Sequence, residues 1–215
     1  MSLIIDLIFP KKCYGCGKTG EYLCRKCQNH IQILNITPPK DSFDGGLSLF
    51  KYDSAIKSGI LDLKYNFVTD NALALATFMA NKLKLKFPNL IKYWQKNNFI
   101  LTPIPLYSSR QNWRGFNQSE ILAKSLAQKL SLDFSNQVLI RDQNTQIQAH
   151  LKNIKERTNN VSNIFSLDPI SRQLKNRNFI IFDDVSTTKS TLTSAQLTLT
   201  NLPSNQCWYL TLSAG

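Results

Sequence analysis

Asp183 and Asp184 stand between an apolar run, Phe179–Phe182, and a run of hydroxyls, Ser186, Thr187, Thr188, Ser190 and Thr191. An apolar run of this length reads as a strand buried on both faces. The segment after Thr191, around Leu192–Leu199, is amphipathic and reads as a helix. Strand, acidic pair, hydroxyl turn and helix start each have a chemical use. A helix start offers free backbone N–H groups and the positive end of a dipole, which can hold a phosphate. Carboxylates one step earlier could hold ribose hydroxyls or a hydrated Mg²⁺, which prefers few carboxylates plus ligand oxygens. A buried strand ending in a capped helix would also use Asp, Ser and Thr. The density of hydroxyls after the aspartates favours the phosphate-and-ribose reading.

A second strand–loop–helix pattern lies upstream. Asn98–Leu106 is a buried-strand candidate in which Pro103 and Pro105 mark where pairing must stop. Tyr107–Gln118 reads as a loop carrying Arg110 and Arg114, with Gly115 as its flexible point, and Ser119–Leu130 as an amphipathic helix. Asn117 can cap that helix, with Glu120 completing a box. The guanidinium fork suits phosphate. Two anion sites of similar build match a ligand with phosphate at one end and pyrophosphate at the other.

A third constellation is near the N-terminus. Cys13-Tyr-Gly-Cys16 and Cys24-Arg-Lys-Cys27 are two CxxC knuckles with seven residues between them. Four thiolates from two tight turns complete a tetrahedral site suited to a structural Zn²⁺. A redox pair and an iron–sulfur cluster are the rival readings; matched pairs without an adjoining βαβ pattern favour zinc. His30 reads as a surface residue and Cys207 as core.

The elements that must position these groups fit in 215 residues as one α/β domain plus a small module. Leu3, Ile4, Leu7 and Ile8 share one face of a short helix, and Thr37-Pro-Pro-Lys40 makes a linker. The division expected is 1–38 for the helix and cysteine module and 43–215 for the larger domain. Within the latter, Gly46–Tyr52, Val138–Ile140 and Gln206–Leu212 read as strands, and Ser54–Tyr65 and Asn71–Lys86 as helices, with Pro88 ending that region. Lys64-Tyr65 reads as turn-facing. The segment from Arg141 to Asn163 is polar and basic, and a long polar excursion in an α/β domain is functional or disordered as a rule.

The hydrophobic share of 42% and charged share of 19% exclude a disordered chain. A net charge of +12 points to polyanionic partners, and the stretch Asn71–Ser119 carries seven Lys or Arg with no Asp or Glu. Such a stretch reads either as a solvated basic face or as a surface that binds DNA, single- or double-stranded. No run reaches the ~20 apolar residues of a membrane span. Met1–Phe9 lacks the basic leader of a secretory signal and carries Asp6. Clustered cysteines suit a reducing compartment, so the chain reads as cytoplasmic.

Asn178–Ser194 resembles the 5-phosphoribosyl-1-pyrophosphate (PRPP) signature of type I phosphoribosyltransferases, D-D-V-x-T-T-G-x-T. The resemblance implies that Asp183 and Asp184 face the ribose hydroxyls. It also implies that Val185, Ser186, Thr187, Thr188, Lys189, Ser190 and Thr191 form the loop around the 5′-phosphate. Lys189 replaces the signature's loop glycine, and a left-handed backbone costs a non-glycine residue roughly 1–2 kcal/mol. Either Lys189 distorts the loop, or its ammonium points at the phosphate and offsets the strain.

The whole order of motifs is similar to that of the ComF family of competence-associated proteins. It runs double CxxC, LKY, RGFNQ at Arg114–Gln118, Gln148…Arg157…Asn160 and DDVSTT at Asp183–Thr188. That resemblance implies an α/β fold, with a mainly parallel twisted sheet flanked by helices and an N-terminal zinc knuckle module. It implies PRPP binding with Mg²⁺, a role in DNA uptake during natural transformation, and contacts with competence machinery proteins. If phosphoribosyl transfer occurs, Asp183, Asp184, Arg110 and Arg114 are the catalytic set, the arginines stabilising the leaving pyrophosphate. The Lys152–Arg157 segment would then cover it. A nucleic-acid-binding adaptor with a vestigial site, or a PRPP-sensing regulator, are the other two readings.

Overall fold

The computed structural model describes residues 10–34, 43–143, 164–203 and 206–215. The expected N-terminal helix, the Pro-Pro linker and the polar segment containing Gln148, His150, Lys152, Lys155, Arg157 and Asn160 lie outside the described residues.

Helix α1 (Arg25–His30) belongs to the cysteine module. Then follow β1 (Gly45–Lys51), α2 (Ser54–Tyr65), α3 (Asp70–Lys86), α4 (Pro88–Lys96) and β2 (Phe99–Pro103). Next are α5 (Ser108–Arg114), α6 (Gln118–Leu130), β3 (Asp133–Phe134), β4 (Leu139–Arg141) and β5 (Phe165–Leu167). A 3₁₀ turn (Pro169–Leu174), β6 (Asn178–Ser186), α7 (Ser190–Leu199) and β7 (Cys207–Ala214) complete the described chain.

Five strands form one sheet in the order β1-β7-β6-β2-β3, and every adjacent pair is parallel. Parallel strands need crossovers, and the helices supply them on both faces. The period of two divides β6 between two cores. Ile180 and Phe182 face α2, α3, α4 and α6, packing with Leu63, Leu75, Leu83, Trp94 and Leu126. Phe179 and Ile181 face α7 and the separate antiparallel β4–β5 ribbon, packing with Leu192, Leu199, Leu139 and Phe165. All four are fully buried, as expected of a strand at the sheet's centre.

Two local readings require correction. Pro88 starts a helix instead of merely ending one, because proline's missing N–H costs nothing in the first turn. Tyr107–Gln118 is not a plain loop: Ser108–Arg114 coils into α5, which stops at Gly115. Gly115 has φ 75°, and its N–H donates to the Gln111 carbonyl at 2.7 Å, the left-handed helix stop for which glycine is favoured. The remaining boundaries differ from the expected ones by a residue or a few, the largest being the end of β6 at Ser186 instead of Phe182, then the end of β2 at Pro103 instead of Leu106. His30 is exposed and Cys207 buried. Among the described residues no helix is long and apolar enough to cross a membrane.

The cysteine module rests on the larger fold. Leu34 N–H donates to the Leu49 carbonyl at the outer edge of β1. Buried Asn71, in α3, donates its amide to the Tyr14 hydroxyl at 2.7 Å and to the Gly59 carbonyl at 2.9 Å.

Candidate functional site

β6 runs on through both aspartates, so the carboxylates belong to the strand's end and not to the turn after it. They point to different partners because successive strand residues alternate in direction. Asp183 Oδ1 accepts from Ser119 Oγ at 2.9 Å and from the Asp184 N–H at 2.9 Å. Asp184, almost wholly buried, pairs with Lys64 Nζ at 2.6 Å. Lys64 lies in the last turn of α2, Ser119 in the first turn of α6. Asn117 orients that turn: its side chain accepts from Ser119 N–H at 3.0 Å and donates to the Ile104 carbonyl at 2.9 Å. Glu120 does not complete the expected capping box; its carboxylate accepts from the Asn136 amide at 2.7 Å.

Burial, reinforced by the neighbouring Asp184 carboxylate, pushes the Asp183 pKa up to about 7, against the opposing pull of Lys64 and Ser119. Burial works against the charge of Lys64, but attraction to Asp184, and then Asp183, outweighs it and the pKa rises. Lys64 therefore keeps its positive charge between Asp184 and an Asp183 carboxyl held well above the usual carboxylate range.

Arg110 and Arg114 lie on α5 across from the strand end. Arg114 donates to the Gln118 side-chain oxygen, and its guanidinium stands over the rings of Tyr65 and Trp113. Burial lowers the Arg114 pKa, Asp184 opposes that, and Arg110 adds to it. Arg141, at the end of β4, is lowered by burial and then by Arg110, while Asp183 acts the other way. Cationic groups from α2, α5 and β4 thus converge on one acidic pair. Arg141 also borders a cavity of about 290 Å³ with Ser108, Gln111, Asn117 and Asn136.

Between β6 and α7 the hydroxyl loop closes a small cavity of about 40 Å³, bounded by Asp183, Val185, Ser186, Thr187, Thr188, Lys189, Ser190 and Thr191. Thr188 and Ser190 hydroxyls are hydrogen-bonded at 2.9 Å. Lys189 keeps the left-handed conformation of the absent glycine, with φ 56° and ψ 0°, and its carbonyl accepts from Thr193 N–H. Its ammonium lies over the Tyr209 ring, 4.9 Å from the centroid. Tyr209 is held there partly because position 46 has no side chain: a Cβ on Gly46 would come within 1.9 Å of the ring. The side chain thus has a partner in the cation–π contact, worth roughly 0.5–2 kcal/mol, which offsets the backbone strain. A larger groove, about 930 Å³, runs between the cysteine module, α3 and α6, and shares none of the loop residues.

The ligand atoms of Cys13, Cys16, Cys24 and Cys27 all lie within 4.8 Å of one another. Cys16 and Cys24 sulfurs are 3.7 Å apart. A zinc–sulfur bond of about 2.3 Å puts tetrahedral sulfurs roughly 3.8 Å apart, so the spacing fits. Cys24 N–H donates to Cys13 Sγ at 3.3 Å. Such N–H bonds outweigh burial and bring Cys13 down to about 6, the direction a metal-binding thiolate needs. Gly15 is required for the cradle, since a Cβ there would lie 2.7 Å from Cys27 Sγ. The four cysteines could hold a metal such as zinc.

Of the expected site residues, the structure brings Asp183, Asp184, Arg110, Arg114 and the loop to one end of the sheet. Sequence reasoning gave Lys64, Ser119 and Arg141 no part in it. The LKY string of α2 and the cap at Asn117 were visible, but neither says which carboxylate it will meet.

No family model matches the chain. It is 35% identical over 198 residues to DNA utilization protein YhgH of Escherichia coli O157:H7, covering 88% of this chain and 83% of that one. It is 29% identical over 187 residues to Competence protein F of Haemophilus influenzae, covering 84% and 74%. A crystal structure of adenine phosphoribosyltransferase from Leishmania tarentolae aligns over 88% of this chain and 86% of its own, at 12% identity and a TM-score of 0.38. The extent and identity of the match to the DNA utilization protein settle the kinship: the chain belongs to the ComF family of competence and DNA-utilization proteins.

Proposed function

We propose that this chain binds PRPP with Mg²⁺ at the end of β6 and acts in the uptake or use of DNA. One observation carries the ligand reading: a paired-aspartate strand end, a hydroxyl loop at a helix start and the guanidinium groups of α5 occupy one end of one sheet. Asp183 and Asp184 would hold the ribose hydroxyls. Val185 to Thr191 would surround the 5′-phosphate, and Arg110 and Arg114 would take the pyrophosphate. Mg²⁺ would supply charge neutralisation to the pyrophosphate oxygens. If transfer takes place, a nucleophilic atom of the acceptor bonds C1′ as pyrophosphate departs with the bonding pair. The arginines favour that departure, and the carboxylate end of β6 favours the positive charge that builds on the ribose. The DNA part rests on the names of the relatives and on the charge of +12. We assign residues 1–38 to the zinc-holding module and 43–215 to the phosphoribosyltransferase-like domain, in a cytoplasmic protein working with competence proteins.

A second reading has its own support. Lys64 already occupies Asp184 at 2.6 Å, so a ligand must work beside or displace that pair. A PRPP-sensing regulator or a DNA-binding adaptor would use such a latch without turnover. Calorimetry with PRPP and Mg²⁺ tests the ligand reading, and pyrophosphate release tests turnover. DNA affinity that changes with PRPP marks the sensor. DNA affinity indifferent to PRPP, falling by about 0.7–0.9 log units per log unit of salt for each phosphate contacted, marks the adaptor.

A further inference from the structure

Three large rings stand exposed around the Arg114 guanidinium. Tyr65 is 57% accessible, Phe67 45% and Trp113 62%, although they come from the end of α2, the turn after it and α5. Phe67 and Trp113 have ring centroids 5.6 Å apart, with Phe116 behind Phe67 at 6.2 Å. The Arg114 guanidinium bridges the group, 5.8 Å from the Tyr65 ring centre and 5.9 Å from that of Trp113. Phe67 holds φ 55°, a strained backbone for a bulky residue. Aromatic rings that gather and still face water, one of them on a strained turn, are not explained by packing. Strain of this kind clusters at ligand sites.

We propose that Tyr65, Phe67 and Trp113 form a stacking ledge for unpaired bases of single-stranded DNA. This rests on the DNA part of the proposed function and adds to it a place and a mode of recognition. Rings interleaved with arginine and lysine match a strand whose bases offer π-faces and whose backbone offers phosphates. The acid-free stretch Asn71–Ser119 includes Trp113, and its Arg110 and Arg114, on the same helix, supply the charge. A duplex hides its base faces, so the ledge selects the unpaired strand.

Trp94 is buried and Trp208 half-buried, so Trp113 is the tryptophan most open to a stacked base. The full chain is titrated at low salt with a roughly 12-nucleotide oligothymidylate, a length within the range one binding surface covers. Saturable quenching of tryptophan emission is expected. Trp113→Leu should abolish the quench and weaken binding, followed by anisotropy of a labelled oligonucleotide, by roughly five- to a hundredfold. Trp113→Phe should retain most of the affinity. Phe67→Gly, which relieves the backbone strain while deleting the ring, should weaken binding without lowering the melting temperature. A duplex of equal length that binds and quenches as well as the single strand overturns the ledge. So does thymidine that saturates the quench at the same concentration. Affinity for the single strand unchanged in both Trp113→Leu and Phe67→Gly overturns the ledge and leaves the electrostatic DNA reading intact. PRPP calorimetry, read on the wild type, reports on the ligand site independently.

Discussion

The cysteine cluster and the carboxylate site are built on opposite plans. The four thiols come from one fifteen-residue stretch, and two short turns bring them within 4.8 Å. The carboxylate site draws Lys64 from α2, Ser119 from α6, Arg110 and Arg114 from α5, and Arg141 from β4 onto the end of β6. The first is a local device whose geometry travels with its spacing. The second exists only after a parallel sheet has brought distant helix ends together. Damage to the first should therefore stay in the module, whereas damage to the second should register in the whole fold.

The largest effect should come from the local device. Cys24→Ser removes one of the four cysteines that could hold a metal, and in small zinc modules binding is coupled to folding with an energy on the order of 10 kcal/mol. We expect zinc to be lost by elemental analysis and the N-terminal module to lose amide protection, while the sheet stays protected. A variant that keeps one zinc per chain would break the comparison, as would a wild type that carries none.

Next is Lys64→Ala. It leaves Asp184 nearly buried and without its ion-pair partner, and removing one member of such a pair costs about 3–5 kcal/mol. Denaturant unfolding should show that loss across the whole domain. A change under about 1 kcal/mol would mean the pair is incidental.

A smaller, directional effect follows from Asp183. Its pKa in the fold, about 7, lies above the ordinary value of 3.8. Between those values the folded chain binds more protons than the unfolded one, so stability should fall as pH rises from about 4 to 7. Asp183→Asn should remove that slope. A stability curve rising over the same window would contradict the assignment.

The strand–loop–helix unit at β6–α7 was legible because every signal in it is local. The apolar run, the acidic pair and the hydroxyl turn each act on residues next to them, and Asn117 capped its helix for the same reason. The partners were not legible, since nothing in LKY says that the lysine will meet Asp184. Helix α5 was missed through one position: Gly115 read as a hinge, whereas its left-handed backbone is the stop signal of a short helix. The Pro88 error had a similar origin, proline being a breaker inside a helix and a good first residue of one.

Lys189→Gly should have the smallest effect. Glycine relieves a left-handed backbone, roughly 1–2 kcal/mol, but the ammonium over Tyr209 is lost with it. The two nearly cancel, so stability should move by less than about 1 kcal/mol, and PRPP affinity should fall or hold. Affinity gained with glycine would show that the lysine obstructs the loop.

The central claim is that the end of β6 is a PRPP site. Its most direct test is calorimetric titration of the zinc-loaded chain with PRPP and Mg²⁺, beside the Asp183→Asn, Asp184→Asn double variant checked for folding by its melting curve. The wild type should release or absorb heat to saturation near one ligand per chain, and the folded double variant should show none. A wild type blind to millimolar PRPP, or a double variant that binds as well as the wild type, would contradict it.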